Sequence, residues 1–446
     1  MNSLSLSHIP PEIIGHLFLA YHSLLGGDPL GGLRSVCLTC KDWRDIAYST
    51  PALWSSLNLH LQDRVPVALV ENLQFLLARS REHPLKIYLK IHNHPWQYVG
   101  ERDRATAFMQ LLFKHVHRWR TIHLEFSRSE HFPYFPEMDY WKADILQSLR
   151  ITTSGVYSLP LSWIAILASS PKLRVWRESG GYSYSSALPL LESLETLQLA
   201  VPVSTSEALR ILQSLPSLEH LSIQLDKESN STRAILPVFS MIKSLDISLT
   251  APSSLQVLFL GIHVPNLEHL GFHFLEFSSF DLHMNQVKNF LKKTSGQITS
   301  FSIRNMCITE DVLLECLTIL SPYLKRFEIL ADSTLTSADY YAIENVGDKT
   351  IRALTPTSEE QPLCPRLEHI TLERCLQAQD GVLSEMAESR YQSSPNVLSR
   401  LCCFQVVFRY HTHPIDTTRL RKLQAEGLRC LVQYGSLRAR FEDFLH

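Results

Sequence analysis

The sequence predicts a mixed α/β chain, in which a small N-terminal helical unit precedes a curved solenoid with parallel strands on its concave side and helices on its convex side. Three observations predict this class. A short apolar pattern recurs along most of the 446 residues, polar residues fill the places between the apolar ones, and amphipathic helical stretches alternate with these units. Strands that alternate with helices favour parallel pairing through crossovers, and a repeat this short favours a solenoid.

The N-terminal segment has the spacing of three short helices. The first carries Ile13, Ile14, Leu17, Phe18 and Tyr21 on one face, after Pro10-Pro11 and before Gly26-Gly27. Proline suits a first helical turn, and glycine suits the residue that follows a helix. A second helix carries Leu33 and Val36, and a third covers residues 41–48 and stops before Pro51. About 45 residues lie near the lower limit for a self-sufficient core, so we expect this unit to pack against another surface.

The same segment resembles an F-box. The residues that match are Ile9-Pro10, Glu12-Ile13, Val36-Cys37, Lys41-x-Trp43-Arg44 and Leu53-Trp54. The stretch Ser-Thr-Pro-x-Leu-Trp-Ser-Ser-Leu at residues 49–57 is similar to the expanded F-box families of mushroom-forming fungi. The resemblance implies that the helices dock on a Skp-type adaptor, which joins them to a cullin. The adaptor-binding residues that it implies are Ile9, Pro10, Ile13, Leu17, Leu33, Val36 and Trp43.

The repeated unit is apolar-x-x-apolar-x-apolar, and it resembles the leucine-rich-repeat class. From Leu146 to Leu324 its starts are 27, 21, 24, 24, 25, 31 and 26 residues apart, where that class has a period of about 20–29. One copy, which begins at Leu173, has Glu178 in its third apolar place. The copies begin at Trp119, Leu146, Leu173, Leu194, Leu218, Ile242, Leu267, Ile298, Leu324, Leu367 and Leu401.

The residues between the apolar places give a separate test. Alternate residues of a strand face opposite sides, so the second, fourth and sixth residues after each start are expected to face solvent. These residues are nearly all polar or small, for example His220, Ser222 and Gln224. The pattern predicts half-buried strands. From this face we select as candidate target-binding residues His220, Gln224, Asp246, His269, His273, Arg304, Arg326 and Glu373.

These patterns divide the chain into a helical unit at residues 1–52, a solenoid at 53–415 and a C-terminal cap at 416–446. Trp54, Leu57 and Leu59 open the first strand-like unit with no flexible linker, so we expect a rigid join. An insertion at residues 332–365 lengthens one repeat, and its polar, proline-containing run at 355–362 is interpreted as a surface loop. A helix at 417–426 and an edge strand at 428–434 are expected in the cap.

Composition narrows the classes of function. The 42 basic and 44 acidic residues nearly balance, so no strong field indicates nucleic acid or an anionic membrane as a partner. We expect no secretion signal and no membrane span, and therefore a cytoplasmic or nuclear location, or both. The nine cysteines are then expected to be buried thiols rather than disulfides.

No pattern predicts an enzyme or a cofactor. The pairs His92-x-His94, His115-x-His117 and His411-x-His413 lack the third and fourth ligands that zinc needs. Cys37-x-x-Cys40 has no second cysteine pair, and nucleotide-binding glycine loops, HExxH and G-x-S-x-G are absent. We therefore expect no metal, no cofactor and no catalytic residue.

Two functions fit the sequence. The resemblance favours a substrate-recognition subunit of a Skp–cullin–F-box ubiquitin ligase, which binds the adaptor through the F-box and a target protein, so far unknown, through the repeats. The alternative is a non-degradative interaction scaffold built on leucine-rich repeats.

Overall fold

The computed structural model describes sixteen stretches of the chain. They are residues 9–24, 29–61, 65–91, 99–126, 142–153, 170–179, 191–226, 237–250, 253–275, 284–294, 297–305, 308–331, 346–357, 362–393, 398–408 and 413–434.

Twelve α-helices lie in the described residues. They are α1 (Pro11–Leu24), α2 (Pro29–Thr39), α3 (Lys41–Ser49), α4 (Val67–Arg79), α5 (Val99–Phe113), α6 (Thr205–Ser214), α7 (Ser253–Gly261), α8 (Met284–Thr294), α9 (Glu310–Leu320), α10 (Asp348–Leu354), α11 (Val382–Gln392) and α12 (Pro414–Ala425).

Sixteen strands lie in the described stretches. They are β1 (Ser56–Leu61), β2 (Leu85–Ile91), β3 (Trp119–Phe126), β4 (Ser148–Thr153), β5 (Val175–Ser179), β6 (Thr196–Val203), β7 (His220–Leu225), β8 (Val238–Phe239), β9 (Ser244–Leu249), β10 (Ile262–His263), β11 (His269–Phe274), β12 (Ser300–Arg304), β13 (Arg326–Leu330), β14 (His369–Glu373), β15 (Cys403–Phe408) and β16 (Arg429–Tyr434). The two-residue strands β8 and β10 pair only with each other, and the other fourteen are paired in parallel within the two units described below.

The three predicted N-terminal helices are present close to their predicted bounds. Ile14, Phe18, Leu33, Val36 and Ala47 are buried between them. The backbone N–H of Trp43 donates to the Sγ of Cys40, which therefore caps the start of α3. This cap explains the second cysteine of the Cys37-x-x-Cys40 pair without redox or metal chemistry.

The chain forms two compact units, with the division between Val201 and Pro202. In the first unit, strands β1 to β6 pair in parallel and in chain order. The register brings one apolar residue of each strand into a single buried row, which consists of Leu57, Ile87, Ile122, Leu149, Trp176 and Leu197.

The second unit repeats the arrangement. Its strands run in the order β7, β9, β11, β12, β13, β14, β15 and β16, all in parallel. Helix residues complete the core, because the Phe259 ring of α7 lies 6.2 Å from that of Phe272 in β11 and stacks on Phe290 of α8 at 4.1 Å. The buried row here consists of Leu221, Leu245, Leu270, Phe301, Phe327, Ile370, Phe404 and Cys430.

The repeat with an acid in its third apolar place keeps its strand. Glu178 is buried, and its Oε1 accepts a hydrogen bond of 2.7 Å from the indole Nε1 of Trp176, two residues earlier on the same face of β5. The bond offsets part of the cost of removing a carboxylate from water. The acid is therefore held on the buried side of β5, opposite Ile151 of β4.

The insertion at residues 332–365 is not one loop, because helix α10 lies within it. A bridge between Val346 and Leu376 precedes this helix. Residues 358–361 of the proline-containing run lie outside the described residues, so the loop interpretation of that run stays a prediction. In the C-terminal segment α12 begins at Pro414, three residues before the predicted start. Gly427, with φ of +106°, follows its end as predicted.

Candidate interaction surfaces

An apolar stripe lies exposed on α1. Ile13, Leu17 and Tyr21 follow one another at intervals of four residues, so they share one side of the helix. They are 51%, 55% and 45% exposed, and Leu38 of α2 is 67% exposed. Large apolar side chains that share one exposed side in this way are typical of a surface that binds another molecule.

The structure separates the seven residues that the F-box resemblance assigns to adaptor binding. Ile13, Leu17 and Pro10 are exposed, and Ile9 is half-buried. Trp43 is half-buried, with its ring 5.0 Å from that of Phe18. Leu33 and Val36, by contrast, are buried. Those two residues form the core beneath the surface, while Tyr21 and Leu38 lie exposed and were missing from the predicted set. The spacing of four residues between Leu17 and Tyr21 was the sequence signal that places Tyr21 on the same side of α1.

The helical unit is joined to the first repeat by an aromatic cluster. The indole Nε1 of Trp54 donates to the carbonyl oxygen of Ala47 at 2.7 Å. The ring of Trp54 lies 5.5 Å from Tyr48 and 5.7 Å from Phe75 of α4. The guanidinium of Arg79 lies 4.2 Å from the centre of the Tyr48 ring, a cation–π contact. These contacts fix α3 against α4. A rigid join was expected here, because the sequence has no flexible linker between the helices and the first strand.

The second candidate surface is the side of the strands that faces away from the core, which we call the open face. All eight predicted target-binding residues lie on it. His220 and Arg304 are exposed, and the other six are half-buried. They are not all in contact with one another. Among them, His269 and Asp246 pair directly at 3.1 Å, and Arg326 pairs with Glu328 on its own strand at 3.4 Å.

A polar cluster lies on the open face of β9, β11 and β12 in the second unit. His269 contacts Asp246 Oδ1 through Nε2 and Ser300 Oγ through Nδ1, the latter at 2.8 Å. Gly271 lies between Asp246 and Ser302 in the strand register. A Cβ at Gly271 would stand 2.1 Å from Asp246 Oδ1, so only glycine allows this carboxylate to lie across β11.

A second polar cluster lies on the open face of the first unit and was not among the predicted site residues. Tyr88 Oη donates to Glu125 Oε2 at 2.5 Å, and Lys90 forms an ion pair with the same carboxylate. Burial alone raises the pKa of Glu125, but the bonds from Lys90 and Tyr88 outweigh it and leave the pKa below its usual value. The alternation of Leu85, Ile87 and Leu89 was the signal that places Tyr88 and Lys90 on this face.

One group of side chains has the composition of a metal site. The ligand atoms of Asp380, His413 and Asp416 lie within 4.8 Å of one another. Both oxygens of Asp380 accept backbone N–H bonds from Ile415 and Asp416, and those of Asp416 accept from Ser384 and pair with His413. Since every carboxylate oxygen has a protein partner, we interpret the group as the caps of α11 and α12.

Of the histidine pairs, His92, His94 and His411 lie outside the described residues.

Comparison of the chain with protein-family models gave no match, and comparison with curated proteins gave none. No helix in the described stretches is long and apolar enough to cross a membrane.

Proposed function

We propose that this chain is the substrate-recognition subunit of a Skp–cullin–F-box ubiquitin ligase. In this proposal α1, α2 and α3 are an F-box that binds a Skp-type adaptor, and the adaptor connects them to a cullin. The strands and helices that follow are a curved leucine-rich-repeat solenoid, whose open face is concave and binds the target. The activity belongs to the cytoplasm or the nucleus.

The observation that carries the proposal is the exposed stripe of Ile13, Leu17 and Tyr21. Full burial of a large apolar side chain stabilises a complex by about 1.5–3 kcal/mol. These three side chains are about half exposed in the isolated chain. A helical partner with a matching groove could therefore gain several kcal/mol from them, whereas Leu33 and Val36 are already buried and would contribute by holding α2 in place.

The proposed subunit carries out no bond chemistry. Its effect is proximity, because a target held near a ubiquitin-charged enzyme reacts in a nearly unimolecular step. The cluster of Trp54, Tyr48 and Phe75 supports this role, since a fixed join between helices and first repeat limits the positions that a bound target can take.

Substitution of the stripe tests the proposal. We expect Leu17→Asp to abolish recovery of adaptor and cullin with the tagged chain, because a carboxylate would be buried at the interface. The matched control is His16→Asp, which places the same charge on an exposed neighbour in α1. Both variants should unfold at the wild-type temperature. Equal recovery of adaptor with both variants, or no adaptor with the wild type, would contradict the proposal.

The alternative is a scaffold that binds partners through the same open face without leading to their degradation. The affinity purification separates the two functions when it is repeated with a proteasome inhibitor. A ligase subunit yields adaptor, cullin and proteins enriched by the inhibitor, whereas a scaffold yields partners whose recovery does not change.

A further inference from the structure

We propose that Asp246 is an anchor for a lysine or arginine side chain of the bound target, held above Gly271 on the open face of β9 and β11. This inference rests on the proposed function for the identity of the target. Its chemistry depends on the residues of β9, of β11 and β12 on one side and of β7 on the other, where Ser222 lies opposite Asp246, and all four strands belong to one compact unit.

The charge of this region singles out Asp246. The open-face residues of β9, β11 and β12 are Ser244, Asp246, Ser248, His269, Gly271, His273, Ser300, Ser302 and Arg304. Asp246 is the one carboxylate among them. Five of its neighbours are serines or glycine on these strands, so short side chains surround it and a longer side chain from a partner can reach it.

The carboxylate is fixed in position rather than free to rotate. His269 holds Oδ1 at 3.1 Å, and Ser300 in turn holds the other ring nitrogen of His269 at 2.8 Å. The side chain of Asp246 nevertheless remains 46% exposed. A carboxylate that is fixed before binding loses little conformational freedom when a cation docks.

Gly271 makes the arrangement possible. A Cβ at this position would stand 2.1 Å from Asp246 Oδ1 and 2.8 Å from Ser302 Oγ. The carboxylate and the hydroxyl therefore meet over a backbone without a side chain. Oxygen acceptors on two sides of one point suit an ammonium or guanidinium group, which has only donors to offer.

Arg304 carries the nearest fixed positive charge on these strands, and it does not neutralise the carboxylate of Asp246. Arg304 lies two strands and two residues away from Asp246 in the register. With strands about 4.8 Å apart and a rise of about 3.3 Å per residue, the two Cα atoms are roughly 12 Å apart. Arg304 is therefore not a cross-strand neighbour of Asp246, and the sheet does not pair the two side chains directly.

Selection from a peptide library tests the anchor. The immobilised full chain is presented with synthetic peptides that have neutral random flanks and a central Lys, Arg, Gln or norleucine. We expect the wild type to enrich Lys and Arg over Gln and norleucine by about tenfold, as a fixed charge pair allows. Asp246→Asn should remove the preference, and Gly271→Ala should reduce it by displacing the carboxylate. The control Thr371→Ala, on the open face of β14 and four strands away from Asp246, should keep it.

The outcomes separate this inference from the proposed function. The anchor is wrong if Asp246→Asn enriches Lys and Arg peptides as strongly as the wild type does, or if the wild type shows no such preference. Either result counts against the anchor even where the adaptor is recovered. Lys and Arg enrichment that depends on Asp246 supports the anchor even if the adaptor fails to bind, in which case only the ligase role falls. Because Asp246→Asn keeps the shape of the side chain, it decides the question if Gly271→Ala proves unstable.

Discussion

The indole N–H of Trp54 donates a hydrogen bond of 2.7 Å to the backbone carbonyl of Ala47, and both residues are buried. Ala47 lies in the last turn of α3, and Trp54 lies just before β1. The bond therefore joins the helical unit to the repeats. We expect Trp54→Phe to lower the free energy of unfolding by more than the loss of ring volume explains, because it removes the shorter of the two hydrogen bonds that the Ala47 carbonyl accepts, the other coming from the backbone N–H of Thr50 at 3.2 Å.

The chain supplies a matched control for this prediction. Trp119 is also buried, but its indole Nε1 has no hydrogen-bond partner among the described residues. Trp119→Phe thus removes the same atoms without breaking such a bond. We expect Trp54→Phe to cost about 0.5–1.5 kcal/mol more than Trp119→Phe in urea unfolding. Equal costs would show that the bond to Ala47 contributes nothing to stability.

The sequence predicted well which strand residues face the core, because the signal, an alternation of apolar and polar residues, is local. A period of two in apolar residues determines which side chains face the core, as with Leu221 and Ile223 in β7. The α1 surface was harder to predict. Ile13 and Leu17 form one four-residue series and Ile14 and Phe18 form another, and periodicity alone does not say which series is buried. The packing of α2 and α3 decides it.

Other features escaped prediction because they depend on residues distant in sequence. Helix α10 has seven residues, and its first turn is capped from another repeat. The Oε1 of Glu310 accepts hydrogen bonds from the backbone N–H groups of Gly347 and Thr350, at 3.0 and 2.7 Å. Such a cap cannot be recognised from the residues of the helix itself. The same holds for the polar cluster of Asp246, His269 and Ser300, which only the pairing of three strands brings together.

A buried arginine holds the end of the insertion. Arg390 in α11 donates to the carbonyl oxygens of Leu354, Leu363 and Cys364, at 2.7, 2.6 and 3.0 Å. Its burial lowers the pKa of its guanidinium to about 10, so the group is still charged at pH 7. We expect Arg390→Met to cost roughly 3 kcal/mol or more, because the carbonyls of Leu354 and Cys364 lose a buried donor and that of Leu363 loses a half-buried one.

Arg400→Met is the control for the arginine prediction. Arg400 is exposed and lies 4.0 Å from the centre of the Tyr391 ring, so its loss should cost about 0.5–1 kcal/mol. Chemical denaturation with a fluorescence readout compares the two variants. The proposed role of Arg390 is wrong if both variants are equally stable.

The capping network in the last repeats should give the fold an acid-sensitive contribution. Burial alone raises the pKa of Asp416, but hydrogen bonds from His413 and Ser384 outweigh it and bring the pKa below the usual 3.8. The ionised carboxylate therefore stabilises the folded state above about pH 3.8. That contribution is lost as the pH falls through the lower folded-state pKa.

We expect Asp416→Asn to reduce stability by roughly 1–3 kcal/mol at pH 7, because it weakens the bonds to His413 and Ser384. The difference from the wild type should shrink below pH 3.8 in denaturation measured from pH 7 to pH 3. The control Asp311→Asn alters an exposed pair with Lys349 at 3.2 Å and should have little effect. A difference that stays constant with pH would contradict the assignment.

The assignment of strand residues to the buried face and the open face of the second unit has its own test. Leu221 and Leu270 are buried in one row, so Leu221→Ala and Leu270→Ala should each cost about 2–5 kcal/mol. Ser222 lies half-buried on the open face, and Ser222→Ala should cost almost nothing. Thermal unfolding of the three variants provides the comparison. Similar losses at Leu221 and Ser222 would mean that the face assignment is incorrect.

The open face as a whole is tested by combined substitution. We expect alanine at His220, His269, His273 and Arg304 to lower target recovery at least tenfold while adaptor recovery stays constant. These residues lie on three strands, β7, β11 and β12, of one compact unit whose neighbouring strands are about 4.8 Å apart, so one partner can contact all of them. Affinity purification with quantitative mass spectrometry measures both recoveries in the same sample. If target recovery is unchanged, the target binds elsewhere. The insertion at residues 332–365 and the cluster of Tyr88, Lys90 and Glu125 are then the next surfaces to substitute.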